Sequence, residues 1–212
     1  MEAAKELERL GLVAVSSGNV SVRVDDGGRP LVVITPMGMP YARMTAADVV
    51  VADFEGEPVE GERPPSSELN LHTAVYQARP DARAVVHTHS INASVCAVAG
   101  LEIPPIVDEM VVNLGGGVRV AEYGFPSTRD LGDKAVVALG DRKAVLLRNH
   151  GLAVVGATLE EAVAHCRLVE RLAQIFLAAR ALGVVQPLSP VVVEMERAIY
   201  LMRLRAQRDS GS

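Results

Sequence analysis

Val20-Ser21-Val22-Arg23-Val24-Asp25-Asp26-Gly27-Gly28-Arg29-Pro30-Leu31-Val32-Val33-Ile34 is the stretch that decides the fold. Its first five residues alternate apolar and polar with the period of two that a half-buried strand requires. Asp-Asp-Gly-Gly then supplies a reversal, and Leu31 to Ile34 resumes an apolar run. Two extended runs joined by so short a turn pair antiparallel. Val49-Val50-Val51 follows before an Asp/Gly turn, so the first third of the chain reads as a hairpin plus a further strand.

Beyond this hairpin the patterns mix. Ser66 to Ala78, after Pro64-Pro65, reads as a helix, Ala82 to Thr88 as a strand and Asn92 to Ala99 as a helix. Ile106 to Val112 and Val118 to Ala121 read as two more strands, and Thr128 to Leu139 as a helix. Ala144 to Arg148 and Leu152 to Val155 read as strands around Asn149-His150-Gly151. Thr158-Leu159-Glu160-Glu161 is a capping box opening a helix to about Leu182, and a final amphipathic helix runs from about Ser189 to Arg205. The expected fold class is α/β, with a mostly antiparallel sheet covered by helices on its faces, because an apolar sheet face has to be covered.

The 212 residues, 49% of them apolar, suit one domain over residues 1–212. The formal charge of −5 is spread along the chain with no cationic run to grip a phosphate backbone, so nucleic acid is not expected as a partner. Cys96 and Cys166 form no spaced pair, which suits a reducing cytoplasm. The start, MEAAKELERL, places Leu and Ala at helical spacing and has neither the basic head nor the apolar run of a secretory signal. No apolar stretch reaches the roughly 20 residues that cross a bilayer, so no membrane partner is expected.

Chemistry concentrates at Val85-Val86-His87-Thr88-His89, where two imidazoles two residues apart at the end of a β run point to the same face. That is chelate spacing. A catalytic Zn²⁺ commonly takes three protein ligands and keeps a position open, so a third is needed. The other histidines are His72, His150 and His165, and His150 ends an apolar strand against a glycine, which makes it the choice. His72 follows Glu68 by four residues and reads as a helix-surface Glu/His pair, while His165, mid-helix beside Cys166, reads as structural. Glu68 in Pro64-Pro65-Ser66-Ser67-Glu68 is either an acid complementing a helix start or a base facing the metal, and residue chemistry alone leaves the two open. Ser16-Ser17-Gly18-Asn19 and Thr35-Pro36-Met37-Gly38 are turns able to offer N–H groups to an anion, and Gly115-Gly116-Gly117 reads as a loop without nucleotide-binding context.

Taken together, SSGNVSVR, ITPMGMPY, PSSELNLH, AVVHTHS and LLRNHGL, in that order over residues 16–152, resemble the class II aldolase/adducin family, and the likeness continues through the helix at 158–179. The resemblance implies a single-domain α/β/α sandwich and a homotetramer with sites near subunit contacts. It implies one Zn²⁺ per subunit on His87, His89 and His150, with Glu68 filling the remaining position at rest before acting as acid/base. Gly18, Asn19, Met37, Gly38, Ser66 and Ser67 match the family's phosphate pocket, and Tyr200 matches a tyrosine thought to serve the aldehyde oxygen.

The implied partner is a small-molecule sugar phosphate. The implied activity is a cytoplasmic lyase that cleaves a ketose 1-phosphate, L-fuculose 1-phosphate in the nearest pattern, to dihydroxyacetone phosphate and L-lactaldehyde through a metal-stabilised enediolate. Two departures stand out. The segment from Ile103 to Glu109 is one residue longer and lacks a tyrosine found in that pattern, and Met37 stands where a hydroxyl residue is common. Rival readings are a ribulose-5-phosphate 4-epimerase, which typically carries Asp where Glu68 stands, a methylthioribulose-1-phosphate dehydratase, and an adducin-like head without chemistry.

Overall fold

The computed structural model describes residues 1–14 and 16–210. Its helices are α1 (Glu2–Arg9), α2 (Leu69–Ala78), α3 (Ile91–Ala99), α4 (Asp108–Leu114), α5 (Arg129–Leu139), α6 (Leu159–Ala181) and α7 (Pro190–Ser210). Its strands are β1 (Asn19–Asp26), β2 (Arg29–Ile34), β3 (Val50–Asp53), β4 (Pro58–Glu60), β5 (Ala84–Thr88), β6 (Arg119–Ala121), β7 (Ala144–Leu147) and β8 (Gly151–Gly156). The strands form an eight-stranded sheet in the order β4-β3-β2-β1-β5-β8-β7-β6. Every neighbouring pair is antiparallel except β6 with β7, as the first hairpin leads one to expect.

Strand periodicity divides the core. Val20, Ala84, Val86, Leu146, Leu152 and Val154 pack on one face of the sheet with α1, α3, α4 and α6. Val32, Ile34, Val85, Val145, Ala153 and Val155 pack on the other face with α2 and α5. Each large aliphatic side chain so buried contributes about 1.5–3 kcal/mol. The result is an α/β/α sandwich in which β5, β8 and β7 are buried along their whole length. At the start of α6, Thr158 Oγ1 accepts the Glu161 N–H at 3.2 Å, and Glu161 Oε2 accepts the N–H of Ala157 at 2.6 Å. The cap therefore forms, with its return bond displaced by one residue.

Two expectations are corrected. Residues 106–112 are not a strand: Val107 is extended and Asp108 to Leu114 is the helix α4. Acids in its first turn, buried Met110, Val111 and Leu114 at helical spacing, and left-handed Gly115 after its end explain why. The helix expected from Ser66 starts at Leu69, with Glu68 at the N-cap position. Ser66 and Pro65 are held instead as an extended segment, by Ser66 N–H donating to Thr35 O at 3.1 Å and by a bridge between Pro36 and Pro65. That segment carries Ser66, Ser67 and Glu68 to the end of β2. Strand β4 has no counterpart in the sequence reading, since all three of its residues are exposed and carry no pattern.

Candidate active site and metal centre

The antiparallel pairing of β5 with β8 sets Thr88 opposite Leu152 and His87 opposite Ala153, so the end of β5 meets the start of β8. His87 lies in β5, His89 just past it, and His150 just before β8 on a reversal made by Asn149 at φ 55°. The three rings form a triangle with centroids 4.7, 4.7 and 5.0 Å apart. Their ligating atoms lie within 4.8 Å of one another. Gly151 is required for this closeness, because a β-carbon there would sit 2.4 Å from Thr88 O and 2.9 Å from His89 Cδ2. Gly18 is equally constrained: at φ 78°, its β-carbon would meet His87 O at 2.7 Å.

The tautomer of His87 is set by the fold. Its Nδ1 lies 2.9 Å from Leu152 O, an acceptor only, so Nδ1 carries the proton and Nε2 presents its lone pair. That lone pair faces His89 Nε2 at 2.9 Å. Burial, with the neighbouring imidazoles, pushes the pKa of His87 well below its ordinary value, and burial lowers those of His89 and His150. Neutral imidazoles are what a divalent cation needs. The bond from His87 Nδ1–H to a backbone carbonyl is the outer-shell support that orients metal-ligating histidines.

Glu68 completes the group. It is 6% exposed and makes no cap bond to α2. Its Oε1 accepts the Ser127 N–H at 2.8 Å and the Ser127 hydroxyl at 3.3 Å. Ser127 adopts φ 67°, and Asn70 Nδ2 donates to its carbonyl at 3.0 Å. Burial raises the Glu68 pKa, opposed by the two Ser127 bonds and by electrostatic interaction with His89. The other oxygen, Oε2, is buried without a hydrogen-bond partner, and so is His150 Nδ1. Buried polar atoms seldom go unpartnered. Two such orphans beside three converging imidazole nitrogens fit a bound divalent cation, with His87, His89 and His150 as ligands and Glu68 within its charge field.

Gly18, Asn19, Met37, Gly38, Ser66 and Ser67 line one cavity of about 150 Å³ together with Glu68 and the three histidines. Met37 spends its N–H on Pro64 O at 3.1 Å, so its backbone is not a free donor to that cavity. Tyr200 lies elsewhere: it is 3% exposed, its ring packs against Gly115 and its hydroxyl donates to Asp141 O. It lines a second cavity with Lys143 and His165. His165 is structural as expected, bonding Val155 O at 2.8 Å through Nδ1. The expected surface pair of His72 with Glu68 does not exist, because the ring is wholly buried between Asn19 and Ser21. Ser127 was not legible in the sequence. A Pro-Ser-Thr turn before a helix signals a cap, and nothing in it points 59 residues back to Glu68.

Three converging imidazoles beside a buried carboxylate at the strand ends of an α/β/α sandwich make a candidate metal centre of an enzyme. Residues 1–177 match the family described as Class II Aldolase and Adducin N-terminal domain, and the chain belongs to that family. It is a lyase of the class II aldolase type. It is 38% identical over 205 residues to L-fuculose phosphate aldolase of Escherichia coli strain K12, covering 97% of this chain and 92% of that one. It is 37% identical over 199 residues to a 5-methylthioribulose-1-phosphate/5-deoxyribulose-1-phosphate aldolase of Rhodospirillum rubrum, covering 94% and 87%. A solved L-fuculose 1-phosphate aldolase superposes with a TM-score of 0.87 at 35% identity, covering 93% and 92%.

Proposed function

We propose that this chain is a Zn²⁺-dependent aldolase that cleaves a ketose 1-phosphate, L-fuculose 1-phosphate foremost, to dihydroxyacetone phosphate and L-lactaldehyde. The carrying observation is that one cavity of about 150 Å³ gathers the three imidazoles, the unpartnered oxygen of Glu68, and the polar turns at 18–19, 38 and 66–67. Such a cavity suits a small ligand with a phosphate at one end and vicinal oxygens at the other. When bound, the cation supplies Lewis-acid stabilisation of negative charge at the substrate's carbonyl and hydroxyl oxygens.

The chain's own residues do the rest. Gly18, Asn19, Gly38, Ser66 and Ser67 hold the phosphate, with Met37 adding an exposed side chain at the rim. Glu68, steadied through Oε1 by Ser127, keeps Oε2 for the proton that leaves carbon in synthesis and returns to it in cleavage. Tyr200 lines another cavity, so the proposal rests on Glu68 and not on that phenol. A homotetramer is part of the proposal, supported by Ile91, Val95 and Val98, exposed in a stripe along α3 beside the histidines. A cytoplasmic location is part of it too, supported by two buried free cysteines and by the lack, among the described residues, of a helix long and apolar enough to cross a membrane.

A second reading keeps the reaction and changes the aldehyde. Relatives named for 5-methylthioribulose 1-phosphate and 5-deoxyribulose 1-phosphate are about as similar as those named for fuculose phosphate. The altered segment from Ile103 to Glu109 is where the resemblance expects the aldehyde end to be read. Incubating the zinc-loaded protein with each ketose 1-phosphate and with ribulose 5-phosphate separates these readings. Lactaldehyde from fuculose 1-phosphate at the highest kcat/KM supports the proposal. An epimer, a dehydrated diketone or no product from any of them rejects it.

A further inference from the structure

We propose that His72 is a positioning residue that holds the side-chain amide of Asn19 with its NH₂ edge turned into the cavity, making Asn19 a fixed donor to the phosphate of the substrate. The inference rests on the reading of that cavity as phosphate-binding and adds what orients its central side chain.

The bond directions follow from proton accounting. Ser21 pairs with Val85 and Asn19 with His87, so both β1 side chains emerge on the sheet face covered by α2. From α2, His72 and Tyr76 reach them, one helical turn apart. Tyr76 and Ser21 hydroxyls lie 2.8 Å apart, Ser21 Oγ lies 2.6 Å from His72 Nδ1, and His72 Nε2 lies 2.5 Å from Asn19 Oδ1. Tyr76 and His72 are 0% exposed and Ser21 1%, so every proton needs an acceptor within the chain. One direction satisfies all of them. Tyr76 O–H donates to Ser21 Oγ, Ser21 O–H donates to His72 Nδ1, and His72 Nε2–H donates to Asn19 Oδ1. Reversing the relay would strand the Tyr76 proton in the core with no acceptor among the described residues. Burial holds the His72 pKa down at about 3, so the ring is neutral, with one donor and one acceptor nitrogen.

Asn19 then has no freedom left. With Oδ1 taken by His72 Nε2–H, the edge that remains for the cavity is Nδ2–H₂, a donor. An amide free to flip would present its oxygen part of the time, and an oxygen repels phosphate. The relay removes that orientation and makes the pocket selective for an anion.

The test uses inorganic phosphate titrated calorimetrically into the zinc-loaded protein, with wild type, His72→Phe, His72→Gln, Asn19→Ala and the double variant His72→Phe/Asn19→Ala, each checked for zinc content and thermal unfolding. Losing one oriented hydrogen bond to a charged ligand corresponds to about tenfold weaker binding. His72→Phe is expected to weaken phosphate about tenfold, His72→Gln, which can still donate to Asn19, to recover most of it, and His72→Phe to add nothing in the Asn19→Ala background. Equal losses in both backgrounds, unchanged affinity in a folded His72→Phe, or a wild type that binds no phosphate would overturn the proposal. If His72→Phe does not fold, Ser21→Ala, which frees Nδ1 to take the ring proton, takes its place in the same cycle with the same criteria. Phosphate binding with the predicted coupling but no cleavage of fuculose 1-phosphate would sink the substrate reading and leave this inference standing.

Discussion

His72 and His87 sit on the same side of the same sheet, both buried, and differ in where their nitrogens point. Both nitrogens of His72 have partners, the Ser21 hydroxyl and Asn19 Oδ1. His87 spends one nitrogen on Leu152 O and turns the other toward His89, with His150 completing the triangle. A buried imidazole whose two nitrogens both find neutral partners is held by the fold. One whose free lone pair faces other imidazoles calls for something positive between them.

The contrast makes predictions, and the largest concerns His87. His87→Ala removes one of the three proposed ligands, so turnover of the ketose phosphate should fall to background and chelator should do the same to wild type. Full activity after exhaustive chelation, checked by elemental analysis, breaks the comparison. Next comes the carboxylate proposed to act beside the triad. Glu68→Gln preserves shape but not basicity and should cost about 10²- to 10⁴-fold in kcat while zinc content stays at the wild-type level. Unchanged turnover would remove Glu68 from the mechanism.

A smaller effect separates the structural histidine. The folded pKa of His72 is depressed to about 3 from 6.5. The unfolded chain therefore binds a proton that the folded one refuses, and this contribution is complete above pH 6.5 and lost as pH falls toward 3. The slope is about 1.4 kcal/mol per pH unit below 6.5. Urea titrations of metal-free wild type and His72→Gln at pH 7.5 and 5.5 isolate it, because the other histidines contribute to both. Equal pH dependence in the two proteins would show that His72 charges in the folded state. The smallest effect belongs to Ser127, whose principal bond to Glu68 comes from its backbone N–H. Ser127→Gly keeps that N–H and suits φ 67°, so kcat should hold within a few-fold and stability should not fall. A loss as deep as that of Glu68→Gln would give the hydroxyl a role of its own.

The sequence made different parts of this molecule legible to different depths. Strict alternation at residues 20–24 and the turn at 25–28 were enough for β1 and β2. Residues 106–112 were not, because a short apolar run fits a strand or a buried helix equally well, and only the acids at 108 and 109 mark the start of α4. At the site, the convergence of the three histidines was legible because His87 and His89 lie two residues apart at the end of one strand run and His150 at the end of another. Partners that depend on α2 docking over β1 and against α5 were not, since neither Asn19 with His72 nor Glu68 with Ser127 leaves any local pattern. Helical spacing suggested that His72 faced Glu68, whereas Glu68 precedes the first turn of α2 and His72 faces the sheet.

The most direct measurement is a crystal structure of the zinc-loaded protein with anomalous diffraction recorded across the zinc edge. The account predicts one strong peak per subunit within about 2.1 Å of a nitrogen from each of His87, His89 and His150. A peak at any other place, or none among these rings, would contradict it.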